Sequence, residues 1–82
     1  MYLDEVRTLV IDVLSLGPSA AALTADSPLL GSLPELDSMA VVSLIAALED
    51  HFGISIADDE IDASMFETLG SLTRFVTFKL TA

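Results

Sequence analysis

The stretch from residue 37 to residue 53 constrains the fold of this chain more than any other. It opens with Asp37 and Ser38, either of which caps a helix start, and it closes with Gly53, the residue type that most often ends a helix. Between them, apolar residues recur at offsets of three, four and seven, the spacing of a helix face turned toward a core. This stripe consists of Val41, Leu44, Ile45, Leu48 and Phe52. The sequence therefore predicts one continuous amphipathic helix.

Two further stretches show helical spacing. The first predicts a helix from Leu3 to Leu16, ended by Gly17-Pro18. The last predicts a helix that Thr68 caps and that continues to Leu80. Brief turns are expected in the acidic segment after Ile56 and around Ser64 to Phe66. Three principal helices with minor turns predict an all-α fold, a small three- to four-helix bundle.

A long connection from Pro18 to Leu36 separates the first two helices. Its proline, glycine and serine residues argue against a regular element, although 20–23 could form one short turn. Its leucines are expected to pin the connection onto the core: Leu29, Leu30, Leu33 and Leu36. Loops of this length within a compact domain are uncommon and often functional.

Composition excludes several classes of function. The chain has 82 residues, which fits one domain over 1–82. Thirteen Asp and Glu against three Lys and Arg give a net charge of −10, which would repel nucleic acid and anionic membranes and favour partners with basic patches. Hydrophobic residues make up 52% of the chain, enough to drive folding, but no apolar stretch is long enough to span a membrane.

The absence of cysteine narrows the chemistry further. With no cysteine there is no disulfide, no thiolate metal site and no cysteine nucleophile. Acidic residues interrupt the apolar N-terminal stretch, and no small-residue cleavage site follows a basic start, so we expect a cytoplasmic protein.

Two tests for catalytic or metal chemistry fail. His51 follows Ser38 by thirteen residues on one predicted helix, which separates the pair by about 20 Å and excludes a serine–histidine nucleophile. The acidic segment lacks the alternation and the glycine of a calcium loop, so we expect a solvated acidic face and no metal site. Its acids are Asp58, Asp59, Glu60 and Asp62.

Ser38 and the helix behind it each have two interpretations. By spacing alone, Ser38 is a capping serine or the residue after a capping aspartate. Alternatively, its hydroxyl lies where the amides and dipole of a helix start favour a phosphodiester. Met39, Val42 and Ala46 form a second apolar side of the helix, which is either peripheral core or an exposed surface for a partner.

The pattern around Ser38 resembles the acyl carrier and peptidyl carrier proteins. The residues that carry the resemblance are Leu36-Asp37-Ser38-Met39, Val42, Leu44, Ala47-Leu48-Glu49, Phe52-Gly53-Ile54, Pro28-Leu29-Leu30 and Thr68-Leu69-Gly70-Ser71-Leu72. Together with the helices, they span nearly the whole chain. The resemblance implies the bundle of that family, with its long loop between helices 1 and 2.

The resemblance also implies a function. Ser38 would carry 4′-phosphopantetheine, which a phosphopantetheinyl transferase attaches from coenzyme A, and Asp37 would position that serine. The thiol of the arm would hold an acyl group as a thioester, so the protein would be a carrier and not an enzyme. Acyl-loading and acyl-transferring enzymes with basic patches would be the partners, and we expect a free-standing monomer. The implied contact residues are Met39, Val42, Ala46 and Glu49.

Two departures leave the pathway open. Ala40 and Ser43 stand where carriers of fatty acid biosynthesis have acids, which favours a dedicated pathway such as one for a polyketide, a modified lipid or an exopolysaccharide-linked product.

The location and the identity of the cargo are also open. Ala46 and Ala47 are small enough to leave room for cargo inside the bundle. An aminoacyl or peptidyl carrier would differ only in cargo. An unmodified acidic helical interaction domain would bind through the same apolar side without any arm.

Overall fold

The computed structural model describes residues 2–17, 23–31 and 36–81. Its helices are α1 (Leu3–Leu14), α2 (Ser38–Phe52) and α3 (Leu69–Thr81), with two short 3-10 helices, η1 (Asp58–Glu60) and η2 (Ala63–Phe66), between α2 and α3. α1 packs against both α2 and α3. The predicted all-α bundle is confirmed. Within the described ranges, none of the helices combines the length and apolar character that crossing a bilayer requires.

α1 is two residues shorter than predicted. Ser15 adopts the left-handed conformation, with φ 54°, which a right-handed helix cannot continue. The Leu16 N–H then donates to the Ile11 carbonyl at 3.1 Å and closes the end of the helix. The predicted end at Leu16 was therefore wrong, because the chain turns before it reaches the glycine.

One buried apolar cluster holds the elements together. Leu44, Ile45 and Leu48 of the predicted α2 stripe are buried, whereas Val41 and Phe52 are half-buried at its edge. The remaining buried members are Val6, Val10, Leu14, Leu29, Leu36, Ile56, Met65, Phe66, Leu69, Leu72 and Val76. All three helices, η2 and the connection between α1 and α2 contribute to this cluster, so the position of α2 depends on every one of them.

The connection between α1 and α2 lies against the start of α3. Four backbone hydrogen bonds join it to the end of η2 and the start of α3: Leu29 N–H to Glu67 O (3.0 Å), Leu30 N–H to Phe66 O (2.9 Å), Leu69 N–H to Ser27 O (3.0 Å) and Gly70 N–H to Ala25 O (2.8 Å). The last two satisfy amides of the first turn of α3, which have no partner within the helix. The connection therefore stabilises the beginning of α3.

Two of the four predicted leucine anchors lie in the core. Leu29 and Leu36 are buried, but Leu30 is 42% exposed, so its prediction as an anchor was wrong. Successive side chains of an extended segment point to opposite sides, and Leu29 takes the inward position. Leu33 and most of the turn predicted at 20–23 lie outside the described residues.

Thr68 caps α3 as predicted. Its Oγ1 accepts a hydrogen bond from the Ser71 N–H at 3.0 Å, and the Ser71 Oγ accepts one from the Thr68 N–H at 3.0 Å. This reciprocal arrangement is that of a capping box, with serine in place of the usual glutamate or glutamine.

Glu60 ties the acidic segment to α3. Its Oε1 accepts the Ala57 N–H at 2.9 Å, and the Lys79 ammonium lies 3.0 Å from the same carboxylate. The hydrogen bond from Ala57, followed by the one from Lys79, lowers the pKa of Glu60 from its ordinary value of 4.5.

Asp62 caps η2. Its carboxylate accepts hydrogen bonds from the Ser64 hydroxyl and, at 3.1 Å, from the Met65 N–H. These bonds, that from Ser64 first, lower the pKa of Asp62. No three metal-ligating side chains come together in the ranges that the structure describes.

We predict that Gly70→Ala destabilises the protein. A Cβ at position 70 would lie 2.7 Å from the Ala25 carbonyl oxygen, which is backbone and cannot rotate away. We expect the free energy of unfolding, measured by urea denaturation, to fall by about 1–3 kcal/mol. Ser43→Ala, at an exposed position within α2, is the control and should leave that value nearly unchanged. A Gly70→Ala protein as stable as the parent would contradict the close approach.

A second prediction concerns acid. Because the folded pKa of Glu60 is below 4.5, its interactions stabilise the fold fully above that value and are lost as the pH falls through the folded pKa. Near neutral pH, Glu60→Gln should unfold at lower urea concentration than Asp59→Asn, which removes a neighbouring exposed carboxylate. At a pH below the folded pKa of Glu60 the two variants should converge. A difference of the same size at both pH values would show that the charge of Glu60 is not responsible.

Candidate functional site

Asp37 determines where α2 begins. Its backbone is extended, with φ −104° and ψ −175°, and its Oδ1 accepts the Ala40 N–H at 2.8 Å. Its carbonyl accepts the Val41 N–H at 2.9 Å, the first hydrogen bond of the helix. Of the two candidate caps, Asp37 is therefore the one used, and Ser38 becomes the first residue of α2.

Ser38 is exposed at this helix start. Within the described ranges its hydroxyl has no hydrogen-bond partner, and the first turn contains no acidic side chain. The first amides of a helix have no partner inside it, and together with the dipole they make its N-terminus favourable for an anionic group. The site thus offers an accessible alcohol where a phosphodiester would be stabilised, and these residues fit a phosphopantetheine arm.

His51 lies at the other end of the same helix. It is in the last turn of α2, half-exposed, with its Nε2 3.3 Å from the Glu5 Oε2 of α1. His51 is therefore a surface histidine at a helix end. Ser38 and His51 are separated by the length of α2, so this pair cannot form a nucleophile and base.

The second apolar side of α2 is exposed. Met39 is 75% and Val42 is 65% accessible to solvent, and Ala46 is exposed as well. Of the two interpretations of these residues, peripheral core is therefore excluded. From Ser38 to Leu48 the helix carries no charged side chain, so its exposed side after Asp37 is apolar and uncharged in a chain of net charge −10.

Glu49 differs from the three apolar residues with which it was grouped. It is half-buried, and its Oε2 accepts the Ile56 N–H at 2.8 Å. Its carboxylate thereby connects the last turns of α2 to the segment that leads into η1. This local role was missed at the level of sequence, because no spacing rule links a helical glutamate to an amide in the loop seven residues later.

The two alanines considered for a cargo cavity differ in burial. Ala46 is exposed on the outer side of α2, and only Ala47 is half-buried. Ala46 therefore makes no room inside the bundle.

The family model described as "Phosphopantetheine attachment site" matches residues 4–76. Two curated acyl carrier proteins are similar to this chain. That of Campylobacter hominis is 42% identical over 59 residues, which are 72% of this chain and 71% of the relative. That of a Sulfurovum species is 34% identical over 73 residues, 89% of this chain and 91% of the relative.

A solved structure agrees with the family model and with these two relatives. The solution NMR structure of a holo acyl carrier protein from Nitrosomonas europaea superposes with a TM-score of 0.94, at 56% sequence identity, over 100% of this chain and 99% of that one. The chain therefore belongs to the acyl carrier protein family: it is a carrier and not an enzyme, and its prosthetic group is phosphopantetheine.

Proposed function

We propose that Ser38 is the residue to which 4′-phosphopantetheine is attached and that residues 1–82 act as one carrier domain. The observation that carries this proposal is the exposed Ser38 hydroxyl at the capped start of α2. When bound, the group supplies the thiol that holds an acyl chain as a thioester, which a chain without cysteine cannot supply itself.

The residues around Ser38 prepare it for modification by a phosphopantetheinyl transferase. Asp37 holds the start of the helix through Ala40, so the serine is presented on an ordered turn and not on a mobile loop. No acid follows Ser38 in the first turn, so the positive end of the helix dipole favours the incoming phosphate there. The carboxylate of Asp37, which precedes Ser38, accepts the Ala40 N–H.

Partner enzymes are proposed to dock on the exposed side of α2. Met39, Val42 and Ala46 offer an apolar helix face that fits a groove on a partner, with Glu49 at its end. The net charge of −10 attracts acyl-loading and acyl-transferring enzymes with basic patches and raises the rate of encounter, whereas the uncharged side of α2 makes the close contact. An uncharged docking face on an otherwise acidic carrier supports partner enzymes that are dedicated to this carrier.

We place the carrier in the cytoplasm as a monomer. Self-repulsion between two copies, each with a net charge of −10, supports the monomer.

Loading tests the attachment residue directly. After incubation with coenzyme A, magnesium and a promiscuous phosphopantetheinyl transferase, the intact mass of the parent protein should increase by one arm. Ser43→Ala, which removes another exposed serine of α2, should also be loaded, whereas Ser38→Ala should not. Loading of Ser38→Ala would refute the assignment.

Two variants distinguish the capping role of Asp37 from the effect of its charge on loading. Asparagine is also a good cap, so Asp37→Asn should keep the stability of the parent, whereas Asp37→Ala should lower the free energy of unfolding by about 1 kcal/mol. If Asp37 positions Ser38 through the cap, Asp37→Asn should also be loaded at the parent rate and Asp37→Ala more slowly. Equal slowing of loading in both variants would instead assign the effect to the charge.

A charge placed on the α2 face should weaken docking. Val42→Asp puts a carboxylate in the apolar surface, and we expect the KM of the transferase for the carrier to increase about tenfold, the effect of one important contact residue. Ser55→Asp adds the same charge at an exposed position outside α2 and should leave the KM close to that of the parent. Equal KM values for the two variants would exclude this face as the docking surface.

A further inference from the structure

A groove with a volume of about 380 Å³ lies between η2 and α3. Met65, which is 5% exposed, and the half-buried Phe75 provide its apolar lining, and Arg74 and Phe78 also line it. Phe78 is 63% exposed, unusually open for a phenyl ring. Neither the attachment site nor the α2 face explains why this ring is exposed to solvent.

The polar groups of the groove indicate what an occupant has to provide. Glu60 is held by Lys79, Asp62 caps η2, and the Ser71 hydroxyl is used in the cap of α3. Arg74 differs, because in the described part of the chain it forms neither an ion pair nor a side-chain hydrogen bond. An occupant therefore has to supply apolar contact and one anionic group.

The arrangement of Arg74 and Phe78 favours a protein as the occupant. They are four residues apart in α3 and so lie on the same face of the helix. A projecting ring gains contact area by entering a pocket on a partner, whereas a small molecule in the groove would leave most of it in water. Arginine and aromatic side chains are also the residue types that dominate binding energy at interfaces.

Charge excludes a second copy of this chain as the occupant and separates this partner from the proposed partners of α2. Two copies would bring together two net charges of −10. Elsewhere the acidic surface favours basic patches, but Arg74 is a local positive charge beside an exposed ring, and a carboxylate complements it.

We propose that Arg74 and Phe78 form an α3 docking surface for a partner protein that presents an apolar pocket beside an aspartate or glutamate. The surface is distinct from the exposed side of α2 and is independent of the proposed attachment at Ser38. A carrier with two such surfaces can remain bound to one protein through α3 while its α2 face is available to another.

Photocrosslinking in the native cell tests this proposal. In the full chain, Phe78 is replaced by p-benzoylphenylalanine, which keeps an aromatic ring at that position, and the adducts formed on irradiation are identified by mass spectrometry. We expect a protein adduct whose yield falls about tenfold in Arg74→Glu and is retained in Arg74→Lys, as for a single important contact. Melting curves of the variants should match, because Arg74 is exposed.

The captured protein then has to pass a charge-reversal test. The crosslinked region should contain an Asp or Glu, and changing that acid to Lys should restore the adduct with Arg74→Glu. No protein adduct, a yield that Arg74→Glu leaves unchanged, or a contact region without an acid that gives this rescue would each overturn the proposal. A captured protein whose adduct passes the reversal supports it whether or not Ser38 proves to be the attachment residue.

Discussion

The hydrogen bond from the Ala40 amide to the Asp37 carboxylate, 2.8 Å long, is the interaction on which the site depends. It ends the extended approach to α2 at residue 37 and makes Ser38 the first helical residue. In a helix that began one residue later, Ser38 would itself be the cap, and its hydroxyl would be used to accept an amide of the first turn. The same bond leaves the serine hydroxyl in solvent and aligns the positive end of the helix with it. The proposed attachment at Ser38 thus depends on the cap at Asp37.

The rest of the bundle holds α2 in place mainly through buried apolar contacts. Leu44, Ile45 and Leu48 anchor α2 in the apolar cluster, and the segment 25–30 is bonded to the start of α3. The charges are distributed differently: Glu60 pairs with Lys79 and Asp62 caps η2, whereas the helix that follows Asp37 is uncharged as far as Leu48. Long-range attraction and close contact are therefore supplied by different parts of one small surface.

Local signals account for what could be predicted from the sequence. The cap at Asp37, the glycine after Phe52 and the threonine before α3 each act through neighbouring residues, and the corresponding helix ends were correct. Ser15 and Leu30 were misjudged because the path of the connection decides their conformation and exposure. The bond of Glu49 to Ile56 and the groove beside Phe78 arise only when separate elements meet, and no periodicity in the sequence encodes them.

Tandem mass spectrometry of the protein purified from its native cell is the sharpest test of attachment at Ser38, because the cell's own transferase then selects the position. Fragmentation that preserves side-chain modifications locates the arm to one residue. The cap at Asp37 makes Ser38 the accessible hydroxyl at the positive end of α2, so the account predicts fragment ions with the arm on Ser38 alone. An arm on Ser43 or on any other residue would contradict it.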